Sequence, residues 1–360
     1  GKDALKYNTI GISNSGFGYR SLFNNTTGSS NTAVGLGALQ ANTIGTNNTA
    51  VGQGSLASNT TASNNSAFGY KSLHTNTIGS GNNAFGKSAL LSNTTGGGNN
   101  AFGYQALYSN TTGQLNNAFG TNALFANTTG GSNSAFGYRS LFSNTSGVNN
   151  SAFGLYSLRN NIIGGANAAF GYSALKNNTT SGNNAFGYKA LFANTTGYRN
   201  AAFGFAALQN NTIGTNNAAF GYQTLQTNTT GSNNTAVGLN SLFSNTIGQK
   251  NSAFGSQALF ANTTGVNNSA FGTYALNANT IGISNTAVGT SALASNTTGS
   301  FNTSVGVNCL YTNTFGKYNT AVGMNTLLYN TTGNNNNTIG IQKFTHIVLN
   351  TSHFYDAFIN

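Results

Sequence analysis

The sequence lacks proline and tryptophan, has one cysteine and one methionine, and contains only 4% charged residues among its 360. The single cysteine, Cys309, excludes a disulfide within the chain. No apolar run reaches the length of a membrane-spanning helix, so we expect no membrane insertion. The only acidic residues, Asp3 and Asp356, stand at opposite ends, which argues against a pair of catalytic carboxylates. We therefore expect no enzyme activity, no bound metal and no cofactor.

The charge that remains is almost all of one sign. Thirteen Lys and Arg residues against two acidic residues give a formal net charge of +11. A basic chain can bind nucleic acid, but these residues are scattered singly and form no basic run or basic helix. We predict no nucleic-acid partner. His346 and His353 lie close together near the end of the chain, and two histidines without a third ligand make a weak metal signal.

A repeat of 17 residues occupies nearly all of the sequence. The glycine of each Phe-Gly or Val-Gly pair recurs every 17 residues, except for one step of 16 between Gly171 and Gly187. We number that glycine as column 1, which gives 20 complete repeats over residues 1–339. Column 5 is always Leu, column 8 is always Asn, and column 17 is always Phe, Val or Ile.

A repeat this short cannot bury an apolar face alone and must stack on its copies. Two short extended runs per repeat, separated by corners rich in Gly and Asn, predict an all-β parallel β-solenoid, or β-roll, of about 20 coils. We assign residues 1–340 to this solenoid. Residues 341–360 break the pattern and are expected to cap the open end or to join the next molecule.

The alternation of side chains along a strand assigns faces to the columns. We expect columns 5 and 17 to form the core, and columns 4 and 16, which hold small residues, to face outward and allow another chain to approach. Stacked asparagines in column 8 would form a hydrogen-bonded ladder. The predicted core is represented by Leu22, Leu39, Leu107, Leu208, Phe68, Phe102, Phe136 and Phe203.

The segments NTAVGLGAL (31–39), NTAVGQGSL (48–56) and NNAFGYQAL (99–107) resemble the head repeats of YadA-like trimeric autotransporter adhesins. They are also similar to repeats of bacterial and viral tail-fibre-like proteins. The resemblance covers residues 1–340 and implies a left-handed parallel β-roll that trimerises. It also implies a location on a cell surface or virion.

The invariant asparagine of column 8 often begins an N-x-[ST] acceptor pattern for N-glycosylation. In parts of the chain column 10 alternates between Thr and Ile, so that a complete pattern falls on every second repeat. The candidate sites in column 8 are Asn25, Asn59, Asn93, Asn110, Asn127, Asn144, Asn178, Asn194, Asn228, Asn262, Asn296 and Asn330. Further patterns occur irregularly at Asn47, Asn64, Asn149, Asn233, Asn267 and Asn336.

These observations predict a structural protein that self-assembles into an extracellular fibre, filament or adhesin rod, as a lateral trimer or a head-to-tail filament, with attached glycans. One alternative is the shaft of a phage or virus tail fibre. An alternative of another class is an ice-binding solenoid, because threonines recur in column 9.

Overall fold

The computed structural model describes residues 1–341 and contains two compact blocks, residues 1–182 and residues 183–360. We call them the N-terminal and C-terminal blocks, and each 17-residue repeat is one coil. Residues 342–360, which include His346, His353 and most of the segment expected to cap or connect, lie outside the described residues.

The fold is a parallel β-solenoid in which every coil contributes one three-residue strand formed by columns 15 to 17. Residues 1–341 contain no helix. The N-terminal block contains β1 Ser15–Phe17, β2 Thr32–Val34, β3 Thr49–Val51, β4 Ser66–Phe68, β5 Asn83–Phe85, β6 Asn100–Phe102, β7 Asn117–Phe119, β8 Ser134–Phe136, β9 Ser151–Phe153 and β10 Ala168–Phe170. The C-terminal block contains β11 Asn184–Phe186, β12 Ala201–Phe203, β13 Ala218–Phe220, β14 Thr235–Val237, β15 Ser252–Phe254, β16 Ser269–Phe271, β17 Thr286–Val288, β18 Thr303–Val305, β19 Thr320–Val322 and β20 Asn337–Ile339.

Within each block, consecutive strands pair in parallel and each residue faces its counterpart one coil later. Asn100 pairs with Asn117, and Phe102 pairs with Phe119. The same register holds for β1 to β10 and for β11 to β20. Identical columns therefore stack on themselves at the spacing of adjacent strands, about 4.8 Å.

The core contains the leucines of column 5 and the small residues of columns 4 and 16. Leu22, Leu39, Leu107 and Leu208 are fully buried, as the sequence predicted. Ala101 and Ala106, which we expected to face outward, are also fully buried. Each buried leucine contributes roughly 1.5–3 kcal/mol to stability.

The phenylalanines of column 17 are not in the core, contrary to the sequence prediction. Phe68, Phe102, Phe136 and Phe203 are half-buried and lie on the opposite side of the strand from the buried alanines. The interior of a 17-residue coil holds one large side chain, the leucine, with alanine opposite it. Columns 4 and 16 are small because they fill this narrow interior, so they do not form a strip on which a second chain could pack.

The other side of the coil is a series of turns rather than a strand. Columns 3, 5 and 13 take positive φ, including Leu107 at 51°. This conformation costs a non-glycine residue about 1–2 kcal/mol, an amount that burial of the leucine offsets. Column 1 requires glycine: Gly103 has φ of 141°, and an added Cβ would lie 2.6 Å from the carbonyl oxygen of Gly120.

The coil that begins at Gly171 is one residue short, and the structure places the missing residue at the corner after Asn178. The Thr180 carbonyl accepts hydrogen bonds from Nδ2 of Asn167 and Asn178, which in regular coils go to the glycine of column 11. Ser181 Oγ then accepts from the Gly165 amide, as a serine of column 12 does elsewhere. Thr180, and not Ser181, therefore takes the place of the column 11 glycine.

Candidate interaction faces

The outward side of the strands forms a face without charge, which we call the strand face. It consists of columns 15 and 17, with column 2 beside it. Column 15 holds Ser, Thr, Asn or Ala, and column 17 holds Phe, Val or Ile, so no charged residue occurs in either column of the solenoid repeats. Column 2 adds exposed aromatic residues such as Tyr104 and Tyr222.

Phenylalanine rings stack in rows along the strand face. In the N-terminal block seven consecutive rings, from Phe68 to Phe170, have centroids 4.6–4.7 Å apart and planes within 9° of parallel. The C-terminal block repeats this geometry from Phe186 to Phe220. The in-register pairing of strands imposes this spacing. Because each ring covers the faces of its neighbours, the row presents ring edges and does not offer flat platforms for stacking against a sugar.

The twelve column 8 asparagines listed as glycan sites are buried, which corrects that prediction for the folded chain. Asn110 shows the arrangement: its Nδ2 donates to Asn93 Oδ1 at 2.8 Å and to the Gly113 carbonyl at 3.0 Å. Both hydrogens of the nitrogen that would carry the sugar are therefore used inside the protein. A glycan at Asn25, Asn59, Asn93, Asn110, Asn127, Asn144, Asn178, Asn194, Asn228, Asn262, Asn296 or Asn330 does not fit this fold.

The predicted asparagine ladder is present, and a second one runs beside it that the sequence analysis missed. Column 14 is also Asn in all 20 repeats, and this invariance was the signal. Asn116 donates from its amide and from Nδ2 to Asn99 Oδ1, at 3.0 and 3.2 Å, and from Nδ2 to the Gly130 carbonyl. The two ladders close the polar end of the interior.

The irregular acceptor patterns lie in a different environment. Asn47, Asn64, Asn149, Asn233 and Asn267 occupy column 13, where the chain turns with φ near 60°, and all five are exposed. Asn336 belongs to column 14 and is half-buried. The five exposed asparagines are thus the acceptor patterns with room for a sugar.

The threonines of column 9 use their hydroxyl groups inside the protein. Thr111 Oγ1 donates to the carbonyl of Thr128 in the next coil at 3.1 Å, and the bond recurs along both blocks. The hydroxyl hydrogen is therefore engaged by the backbone rather than turned toward solvent.

Titratable side chains do not gather into a chemical site. Residues 1–341 hold no group of three or more His, Cys, Asp and Glu that could bind a metal ion. His74 Nδ1 lies 2.7 Å from the carbonyl oxygen of Gly54. Burial raises the pKa of the Cys309 thiol, and its Sγ donates to the Ala321 carbonyl.

No protein-family model and no curated protein matches this chain. Within residues 1–341, no helix is long and apolar enough to cross a membrane.

Proposed function

We propose that this chain is a structural repeat protein that associates with copies of itself through the strand face, as the shaft of an extracellular fibre or adhesin rod. The observation that carries the proposal is the strand face itself. It is free of charge, rich in aromatic residues and repeated at every coil. The resemblance to adhesin head repeats supports the same function, and a shaft on a phage or virus surface would use the same chemistry.

The strand face exposes more apolar surface than a lone soluble protein usually does. Phe220 and Phe271 are about 40% exposed, and Tyr104 and Tyr222 beside them are somewhat more exposed. Ten strands at 4.8 Å and three outward columns about 6.6 Å apart give each block a strip of roughly 600 Å². A stable interface needs about 800 Å² per partner. Large exposed apolar patches of this kind mark interaction sites.

A second copy is the occupant that fits this face best. Its ring row has the same spacing, so that edges of one row can enter the gaps of the other over many coils, as in a dry interface between paired sheets. The hydroxyl and amide groups of column 15 can form hydrogen bonds at the edge. No unpaired charge is buried when two strand faces meet, because columns 15 and 17 carry none.

The proposal is tested by shortening the ring row in the middle of the N-terminal block. The variant Phe102→Ser, Phe119→Ser, Phe136→Ser removes three rings that stack at 4.7 Å. We expect sedimentation velocity and electron microscopy to show laterally associated particles for the unaltered chain and single particles for this variant.

The matched control removes another stacked trio that lies off the strand face. Tyr108, Phe125 and Phe142 of column 6 stack at 5.1 and 5.2 Å, and the control changes all three to Ser. Association should persist in the control. A monomeric unaltered chain at high concentration, or equal loss of association in both variants, would contradict the proposal.

A further inference from the structure

We infer that the turn side of the N-terminal block binds an acidic polysaccharide along a row of basic side chains. The basic strip, as we call it, consists of all eight Lys and Arg residues of that block. They occur only in columns 2, 3 and 6, and they are Lys2, Lys6, Arg20, Lys71, Lys87, Arg139, Arg159 and Lys176. This inference goes beyond self-association and does not depend on it.

The fold gathers charges that are widely scattered in the sequence. Arg139, Arg159 and Lys176 are 20 and 17 residues apart in the chain, yet they belong to three consecutive coils. Stacking places such coils about 4.8 Å apart. Lys71 and Lys87 occupy consecutive coils in the same way. Each of these five side chains is half-buried or exposed, so the strip faces solvent.

The block cannot neutralise the strip from within. Eight basic residues and one acidic residue, Asp3, leave residues 1–182 with a net side-chain charge of +7. Asp3 pairs with Lys6 at 3.2 Å. The Nε atoms of Arg20, Arg139 and Arg159 have no hydrogen-bond partner in the structure. An external polyanion would supply the missing negative charge.

Aromatic rings hold the cations in place. The Arg139 guanidinium lies 5.1 Å from the Tyr138 ring centroid and 5.4 Å from that of Phe142. Tyr156 has Arg159 at 5.3 Å and Lys176 at 5.6 Å. Each contact is worth about 0.5–1 kcal/mol at an exposed site. The side chains therefore lose less freedom when a ligand binds.

These contacts favour an acidic polysaccharide over a single-stranded nucleic acid. Nucleic acids that bind without sequence preference stack their bases on free aromatic faces. Here the cations already lie over those rings. A second copy of this chain is disfavoured as a partner, because its own strip has the same sign. A linear chain with one negative charge per sugar needs only the row of cations.

The test removes three charges from the strip with residues that the repeat already uses. Column 3 holds Gln at Gln105, and column 6 holds Gln at Gln209 and Gln226, so Arg139→Gln, Arg159→Gln, Lys176→Gln should fold. Binding is measured by titration calorimetry with heparin as a sulfated probe, alginate as a carboxylated probe and neutral dextran. We expect the affinity for both acidic probes to fall at least tenfold, with a shallower dependence on salt.

A matched control removes three charges from the C-terminal block, in columns 12 and 13. Its changes are Arg199→Ser, Lys250→Ser and Lys317→Gln, residue types that those columns already contain. The control should keep the affinity within twofold. Absent binding to both acidic probes, equal weakening in the two variants, or tighter binding of an oligothymidylate than of either polysaccharide would each overturn the inference. Far-UV circular dichroism of both variants checks that the fold is retained.

Discussion

At the scale of single residues, asparagine has a role that no other side chain can fill in columns 8 and 14. Asn110 donates two hydrogen bonds from Nδ2 and accepts one at Oδ1 from Asn127, all inside the protein. Aspartate has the acceptors without the donors, and glutamine places the same groups one carbon further out. This is why the asparagine persists even where column 10 is Ile and no glycosylation pattern exists.

We predict that Asn110→Ala lowers the free energy of unfolding by about 3 kcal/mol. The change leaves Asn93 Oδ1 and one hydrogen of Asn127 Nδ2 buried without partners, at about 1–3 kcal/mol each. Guanidinium titration measures the effect. The control is Asn149→Ala at the exposed corner of column 13, where Ala166 already occurs at similar φ. It should change stability by less than about 0.5 kcal/mol. A similar loss in both variants would show that the ladder is not the cause.

The sequence predicted the period, the parallel coils, the leucine core and the column 8 ladder, because each follows from which residues repeat. It could not show which side of the strand faces inward. Alternation requires that Ala101 and Phe102 point to opposite sides, and only the width of the interior decides between them. The basic strip was missed for a related reason: Arg139, Arg159 and Lys176 look isolated until the coils bring their columns together.

At the scale of the coil, the regular repeat is defined by its one exception. The short coil at Gly171 leaves Asn161 Oδ1 buried without a hydrogen-bond partner. In a regular coil that oxygen accepts from the next asparagine of column 8, as Asn144 Oδ1 accepts from Asn161 at 3.0 Å. The loss of one residue therefore interrupts a ladder that is continuous through the preceding coils.

Insertion of one threonine between Asn178 and Thr179 should repair this interruption. It restores 17 residues to the coil and gives Asn161 Oδ1 a donor, so we expect stability to rise by about 1–2 kcal/mol. The same insertion between Asn144 and Thr145, in a regular coil, should destabilise the protein. Thermal and guanidinium unfolding of the two variants would decide the matter; a loss of stability in both would refute the assignment of the missing residue.

At the scale of the whole molecule, different chemistry occupies different sides of the coil. The strand face carries aromatic rings and no charge, the turn side of the N-terminal block carries its basic residues, and the exposed corner of column 13 carries five acceptor patterns. Sequence position alone would treat all N-x-[ST] patterns alike. Burial separates those of column 8 from those of column 13.

We predict that any glycan on the folded protein, when secreted from a glycosylating host, is attached in column 13. The expected sites are Asn47, Asn64, Asn149, Asn233 and Asn267, which are exposed. Enzymatic deglycosylation in ¹⁸O-labelled water, followed by peptide mass spectrometry, marks each occupied asparagine. Label at Asn110 or another buried asparagine of column 8 in natively folded material would disprove the prediction.

The two asparagine ladders also make each block electrically directional. In both ladders Nδ2 of one coil donates to Oδ1 of the preceding coil, as Asn110 does to Asn93 and Asn116 does to Asn99. The side-chain amides therefore point the same way, and their dipoles, about 3.5 D for a peptide-like amide, add along the stack. Two copies lying side by side are attracted when they run in opposite directions, so fibres built from such pairs would have no overall polarity.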